Sequence, residues 1–394
     1  MTTTIIIILS VLVLFSYLFE ISASKTKFPS AILLLLLGFL VKIIIEKVNL
    51  QLPNLNPILP VLGTLGLILI VLEGSLELEL NREKFSLIKK SFFIAGLSVF
   101  ILSFSTAYIL GAVHKINIKT ILSNVIPLSI ISSAIAVPSV KYLNKYYKEF
   151  ITYESSLSDI IGVILFNFIT LNDSIGTQSF GIFFLQLIAM LIISFTATII
   201  LSRLLYKIKD NVKYLPIIIM IVLIYAISKH FHLPGLIFIL IFGLFLGNLD
   251  EFKNHKFINF FHTVSFNSEI AKLKEITSEI TFLIRSLFFL LFGFLIEIKD
   301  IINIQSLIYS TSITLLIFTV RFVLLKRFSI RFSPTIYIAP RGLITILLFL
   351  TIPVTSQVGF IGKPVVIQVI IFTSIIMVWG MIKNKKTETP TNNS

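Results

Sequence analysis

Apolar residues run through this chain in long unbroken stretches, not in alternation. Thirteen such spans lie at roughly 4–20, 28–46, 57–74, 91–113, 120–141, 151–171, 180–206, 214–229, 233–249, 279–297, 302–325, 332–352 and 364–382. Their length matches the roughly 17–25 residues that cross a lipid hydrocarbon core. A backbone in lipid must satisfy its own hydrogen bonds, which leaves helices or closed barrels, and these runs are too long for barrel strands. The pattern therefore predicts an all-α polytopic membrane protein of about thirteen transmembrane helices. The opening MTTTIIIILSVLVLF lacks a basic leader and a small-residue cleavage site, so it reads as the first helix.

The polar segments between spans refine the picture. The longest, residues 250–278, contains EIAKLKEI with helical amphipathic spacing and predicts a surface helix at the membrane. Residues 1–383 read as one transmembrane domain, followed by a short polar cytoplasmic tail, 384–394. With the N-terminus outside, the inside loops hold 23 Lys and Arg and the outside loops hold seven. Basic residues collect in cytoplasmic loops, so the count predicts N-terminus out and C-terminus in, in the cell membrane.

Composition agrees. Of 394 residues, 56% are hydrophobic and only 13% charged, with mean hydropathy +1.00. The absence of cysteine removes disulfides and thiolate metal sites. Five histidines show no metal-ligand spacing, and His230 and His232 bracket a loop. The net charge of +14 fits cytoplasmic loops and does not call for nucleic acid. No phosphate-cradling G-x-x-x-x-G-K-[ST] loop is present, which argues against a built-in ATPase.

Charges within the spans carry the candidate chemistry. A charge in hydrocarbon is costly, and such residues pair or line a water-filled path. The deep ones are Glu154, Asp159, Arg285 and Arg341, with Glu73 and Glu279 nearer span ends. Arg321 lies near the inner end of span eleven and reads as an anchor whose side chain reaches the surface. Glu154 and Asp159 open the stretch ESSLSDIIGVILF. Five residues apart, they differ by about 140° around a helix and about 7.5 Å along it. The geometry favours separate roles: Glu154 a structural ion pair, Asp159 an ion site to which Ser155 and Ser158 can add hydroxyl oxygens, with a structural hydrogen bond the alternative for Asp159.

Two spans are interrupted. Span five reads NVIPLSIISSAIAVPSVKYL and span twelve FSPTIYIAPRGLITILLFL. Proline removes a backbone donor and glycine permits irregular backbone. If spans one to six and eight to thirteen are repeats, five and twelve correspond. Paired breaks of that kind point to a transporter's midplane site. Two ordinary proline kinks are the plainer alternative.

These segments resemble the monovalent cation:proton antiporter superfamily, the sodium/proton exchanger group. ESSLSD-IIGVILF is similar to its ESLLND-GVAIVLF stretch, SSAIAVPSV to its TDPVAVSAV segment, and APRGLITILL to GLRGAVSLAL. LIRSLFFLLFGFLIEI and VLEGSLELEL resemble its FFxxxG helix and FLEGLELDL signature. The five occur in the family's order and cover most of the chain. The resemblance implies an inverted-repeat fold with two interrupted crossing helices, and a core bundle near 120–171 and 279–352 moving against a dimerisation bundle. It implies that Asp159 binds the cation or the proton, with Ser132 and Ser133 near it. It also implies that Glu154 pairs with Arg341, that Arg285 lies near the site, and that the chain is a homodimer. Ser158 stands where the family has Asn, and Ser132 and Ser133 where it has Thr and Asp.

The expected activity is exchange of Na⁺ or K⁺, or Li⁺, for H⁺, electroneutral and one for one, because one carboxylate binds either ion but not both. No cofactor is expected. The alternatives are a passive cation channel or a transport-inactive regulatory protein on the same scaffold, and an organic-acid transporter on a related fold.

Overall fold

The computed structural model describes residues 2–26, 29–48, 55, 57–80, 82–140, 143–172, 176–208, 213–249 and 264–384. Among them there is no strand. The α-helices, in chain order, are α1 (Thr2–Thr26), α2 (Ser30–Val48), α3 (Ile58–Glu77), α4 (Phe85–His114), α5 (Ile118–Ser129), α6 (Ser133–Ser139), α7 (Lys145–Leu171) and α8 (Thr177–Lys207). They continue with α9 (Tyr214–His230), α10 (Leu236–Gly247), α11 (Val264–Phe294), α12 (Ile298–Ile302), α13 (Ile304–Arg327), α14 (Leu343–Thr351) and α15 (Lys363–Asn384). Every one of the thirteen apolar spans is helical in at least part of its length. Among the described residues, eight helical stretches are long and apolar enough to cross a membrane, counting α5 and α6 as one.

Span five divides into α5 and α6. Span twelve becomes a single 3-10 turn (Thr335–Tyr337), an extended link and α14. The short α12 lies between spans ten and eleven, and at its start the Glu297 N–H donates to Asp300 Oδ2 at 3.2 Å; span eleven is α13. The expected surface helix at EIAKLKEI is instead the first part of α11, continuous with span ten. Its apolar spacing serves a buried stripe along that helix, with Ile270, Leu273, Thr277 and Thr281 all inside. Residues 250–263 and the tail from 385 lie outside the described residues.

The chain divides into two compact units, residues 1–63, 90–162 and 285–394 in one, 64–89 and 163–284 in the other. In the first, α2 and α11 cross at backbone contact. A Cβ on Gly38 would lie 2.1 Å from the Leu290 carbonyl oxygen, and one on Gly293 2.2 Å from that of Leu35. Lipid supplies no hydrophobic drive between helices, so small residues that let backbones approach supply the packing. In the same unit, Gln368 of α15 ties α13 to the α12 end. It accepts from Ser310 Oγ at 2.9 Å and donates to the Ile301 and Asn303 carbonyls at 3.1 and 3.2 Å.

The second unit packs α10 against the end of α3 in the same small-residue manner, with Gly243 and Gly247 facing Ser75 and Leu76. Lys213 and Glu269 pair at 2.7 Å, and the Tyr214 hydroxyl also donates to Glu269. Along α8 only 22% of the apolar window is buried. Phe184, Leu185, Ile192 and Phe195 stand exposed there, a face suited to lipid and not to water.

Candidate ion-binding site

The site is built where the two interrupted spans meet. Helix α5 ends at Ser129, and Ile130 and Ser132 are extended, with ψ of 130° and 112°. Pro127 near the end of α5 contributes no amide to its ladder, which weakens the last turn. In the second segment Pro340 disfavours helix at the residue before it, and Gly342 leads into α14. The segments cross in contact: the Ser132 N–H donates to the Pro340 carbonyl at 2.9 Å. A Cβ on Gly342 would lie 2.8 Å from Ser132 Oγ and 2.7 Å from the end of Ile135, so the crossing leaves no room for a side chain there.

Breaking a helix in a membrane exposes amides and carbonyls that need partners. Three side chains supply them. Asp159 Oδ2 accepts from both the amide and the hydroxyl of Ser133, at the N-terminal end of α6. Ser158 Oγ accepts from the Ile131 N–H in the unwound link at 3.0 Å. Arg341 donates from Nε to the Leu128 carbonyl (2.9 Å), from Nη2 to the Ser129 carbonyl (3.2 Å) and from Nη1 to the Ala339 carbonyl of its own segment (2.8 Å). The carboxylate thus meets the positive end of one half-helix and the guanidinium the negative end of the other, as the peptide dipoles favour. Arg341 is 1% exposed, and its own N–H donates to Thr373 Oγ1 at 3.1 Å.

Asp159 is fully buried, and its second oxygen, Oδ1, has no hydrogen-bond partner. Ser132 Oγ, on the unwound link, is likewise buried and without one. Among the described residues Asp159 is the one carboxylate in this condition; the other buried side-chain oxygens without a partner are hydroxyls, and a buried carboxylate oxygen left bare calls for a specific reason. Ser155, one helical turn before Asp159, spends its proton on the Ile151 carbonyl at 2.7 Å and keeps oxygen lone pairs.

The ion pairing differs from the sequence reading. Glu154 does not pair with Arg341. Its partner is Arg321, whose Nη1 and Nη2 meet Oε1 and Oε2 at 2.7 and 3.0 Å. Arg321 also donates from Nε and Nη2 to the Thr335 carbonyl at 2.9 and 2.8 Å. At 2% exposure it is a core residue and not a surface anchor. The signal available in the sequence was depth: Lys326 and Arg327 already mark the helix end, and Arg321 lies about 9 Å before Arg327 along the axis. Arg341 satisfies carbonyls instead, although it remains within electrostatic reach of both Arg321 and Glu154. Arg285, expected beside the site, is 3.6 Å from Glu20 of α1, and Ser30 Oγ donates to the same Glu20 at 2.5 Å. Ser158, expected as an ion ligand, holds backbone in place.

A helical membrane protein with two unwound segments crossing at a half-satisfied carboxylate has the architecture of an inverted-repeat ion transporter. The chain belongs to the sodium/hydrogen exchanger family: the family described as "Sodium/hydrogen exchanger, transmembrane" matches residues 9–383. It is thus a multi-pass membrane protein of a cation/proton antiporter family. Its fold is similar to two structures of the sodium proton antiporter MjNhaP1 from Methanocaldococcus jannaschii. One, at pH 8, is 17% identical with a TM-score of 0.67, covering 98% of this chain and 97% of that one. The other, an electron-microscopy structure, is 16% identical with a TM-score of 0.70, covering 98% and 96%. No curated protein matches the chain.

Proposed function

We propose that the protein exchanges one monovalent cation, Na⁺ or K⁺, for one proton by alternating access, with Asp159 as the shared site. The observation that carries this reading is the unequal saturation of the Asp159 carboxylate. Ser133 fixes Oδ2, while Oδ1 is buried and free. A proton or a cation on Oδ1 supplies the missing partner, and Ser132 Oγ and the lone pairs of Ser155 are candidate further ligands.

Charge counting supports the stoichiometry. Loading with H⁺ or with a monovalent cation adds the same single positive charge. Exchange of one for the other then moves no net charge. The unloaded carboxylate, deprived of water, is the form least suited to move. The basic-residue distribution supports an inside C-terminus in the cell membrane, and the family resemblance supports a homodimer.

Proteoliposomes test the assignment. Purified Asp159→Asn should show no cation-driven proton flux while folding normally. Wild-type flux from that variant would remove Asp159 from the mechanism. Pairing Na⁺, Li⁺ and K⁺ with a pH series on the unaltered protein identifies the cation. Cation leak without proton movement would favour a channel.

A further inference from the structure

A groove of about 780 Å³ opens between α13 and α15 and is walled on its third side by the 3-10 turn at 335–337. Its volume falls in the range of ligand clefts, about 300–1,000 Å³. Thr314, Phe318 and Phe322 line it from α13, Phe372 and Ile375 from α15, and Ile336 from the turn. All lie in one compact unit. The exchange reading makes no use of it.

One end of the groove differs from the other. α13 and α15 run side by side, with Ser310 bonded to Gln368 58 residues later. That offset brings Lys383 level with Lys326, and both are exposed at the helix ends. Tyr337 packs edge-on to Trp379, the chain's single tryptophan, and the Lys383 ammonium lies 5.1 Å from that indole's centre. Phe322, in the groove wall, packs edge to face against Phe332. Amphipathic aromatics with lysines beyond them mark the headgroup level of a bilayer. The apolar groove therefore ends in a cationic mouth at headgroup depth.

We propose that this groove binds one anionic phospholipid, its acyl chain along α13 and α15 and its phosphate between Lys326 and Lys383, in the leaflet the proposed topology places on the cytoplasmic side. The charge pattern selects this occupant. The chain's own tail begins with Lys385 and Lys386 and would be repelled by the mouth. A second copy docked about a two-fold axis would bring the same lysines to the contact. A zwitterionic lipid fits the apolar part but does not balance the mouth. The site also touches the ion machinery indirectly. Ile336 and Tyr337 follow Thr335, whose carbonyl takes two bonds from Arg321, so an occupant braces the segment leading to the crossing.

The test uses the full chain, delipidated in detergent and titrated with phosphatidylglycerol or phosphatidylcholine of identical acyl chains, with bound lipid resolved by native mass spectrometry. One copy of phosphatidylglycerol should bind more tightly than phosphatidylcholine. Lys326→Gln should weaken it roughly 5-fold and Lys326→Gln with Lys383→Gln roughly 25-fold, taking a basic residue's typical pull on an anionic surface. Phosphatidylcholine binding should not change in those variants. Thr319→Trp, which fills the groove from an exposed position, should reduce binding of both lipids. Equal affinity for the two lipids on the unaltered chain overturns the proposal. So does a preference that survives the double lysine change, or unchanged lipid binding in Thr319→Trp. A Thr319→Trp protein that keeps its lipid but changes oligomeric state assigns the groove to a second copy instead.

Discussion

Glu154 and Arg321 form a two-pronged ion pair, 2.7 and 3.0 Å long, with both side chains almost wholly buried. The pair joins α7, which carries Asp159, to α13, and through the Thr335 carbonyl it also holds the approach to the second unwound segment. The planar guanidinium fork matches a carboxylate plane in a way an ammonium cannot.

Removing one member of this pair leaves the other as a lone buried charge. Glu154→Gln or Arg321→Met should each destabilise the protein by about 3 kcal/mol, while Glu154→Leu with Arg321→Met recovers much of the loss. Thermal unfolding in detergent measures this. The same cycle with Arg341 in place of Arg321 should show a smaller recovery, because the carboxylate oxygens of Glu154 are bonded to Arg321 and Arg341 bonds carbonyls.

Arg341 answers three carbonyls that α5 and the second unwound segment leave open. Arg341→Lys keeps the charge but cannot reach three acceptors in different directions. It should lower stability by about 1–3 kcal/mol for the carbonyls left bare and reduce flux sharply. A lysine variant with wild-type transport and unfolding midpoint would show that charge alone suffices there.

Two serines separate site from scaffold. Ser132→Ala removes a hydroxyl with no protein partner, so the unfolding midpoint should hold while the KM for the cation rises several-fold. Ser158→Ala strands the Ile131 amide in a buried link and should cost about 1–3 kcal/mol of stability. Flux kinetics and thermal unfolding on both variants distinguish the roles.

Competition for one carboxylate fixes the pH response. As pH falls, protons displace the cation, and the apparent KM for the cation should rise by up to about tenfold per pH unit, the limit for one proton against one ion. Maximal velocity at saturating cation should change less. A KM independent of pH on the side of cation entry would argue for separate sites.

Gly162 of α7 lies against the unwound link. A Cβ there would meet Ile130 side-chain carbons at 2.3 Å, and Ile130 is fully buried. Gly162→Ala should therefore cost about 1–3 kcal/mol by overpacking. Adding Ile130→Ala should give a double variant more stable than the two separate losses predict, since the residues share one space.

The thirteen spans, the helical class and the two broken segments were legible along the chain. Each rests on local physics: an apolar run long enough for lipid must be helical, and a proline removes its own amide wherever the chain goes. The burial of Asp159 was legible too, as a carboxylate placed where hydrocarbon should follow. What only the tertiary structure decided was partnership. Glu154 had two buried arginines to choose from among the described residues, and reach across the bundle, not spacing in sequence, gave it Arg321. Arg341 was read as a charge in need of a counter-charge, whereas the ends of a broken helix offered it carbonyls. Ser158 was read only as an ion ligand, and packing gave its hydroxyl the Ile131 amide to hold at 3.0 Å. EIAKLKEI looked like a surface helix because amphipathic spacing is the same whether the apolar stripe meets lipid or protein. Local pattern sets what each segment must do for its own backbone; which distant groups complete it is fixed only when the segments pack.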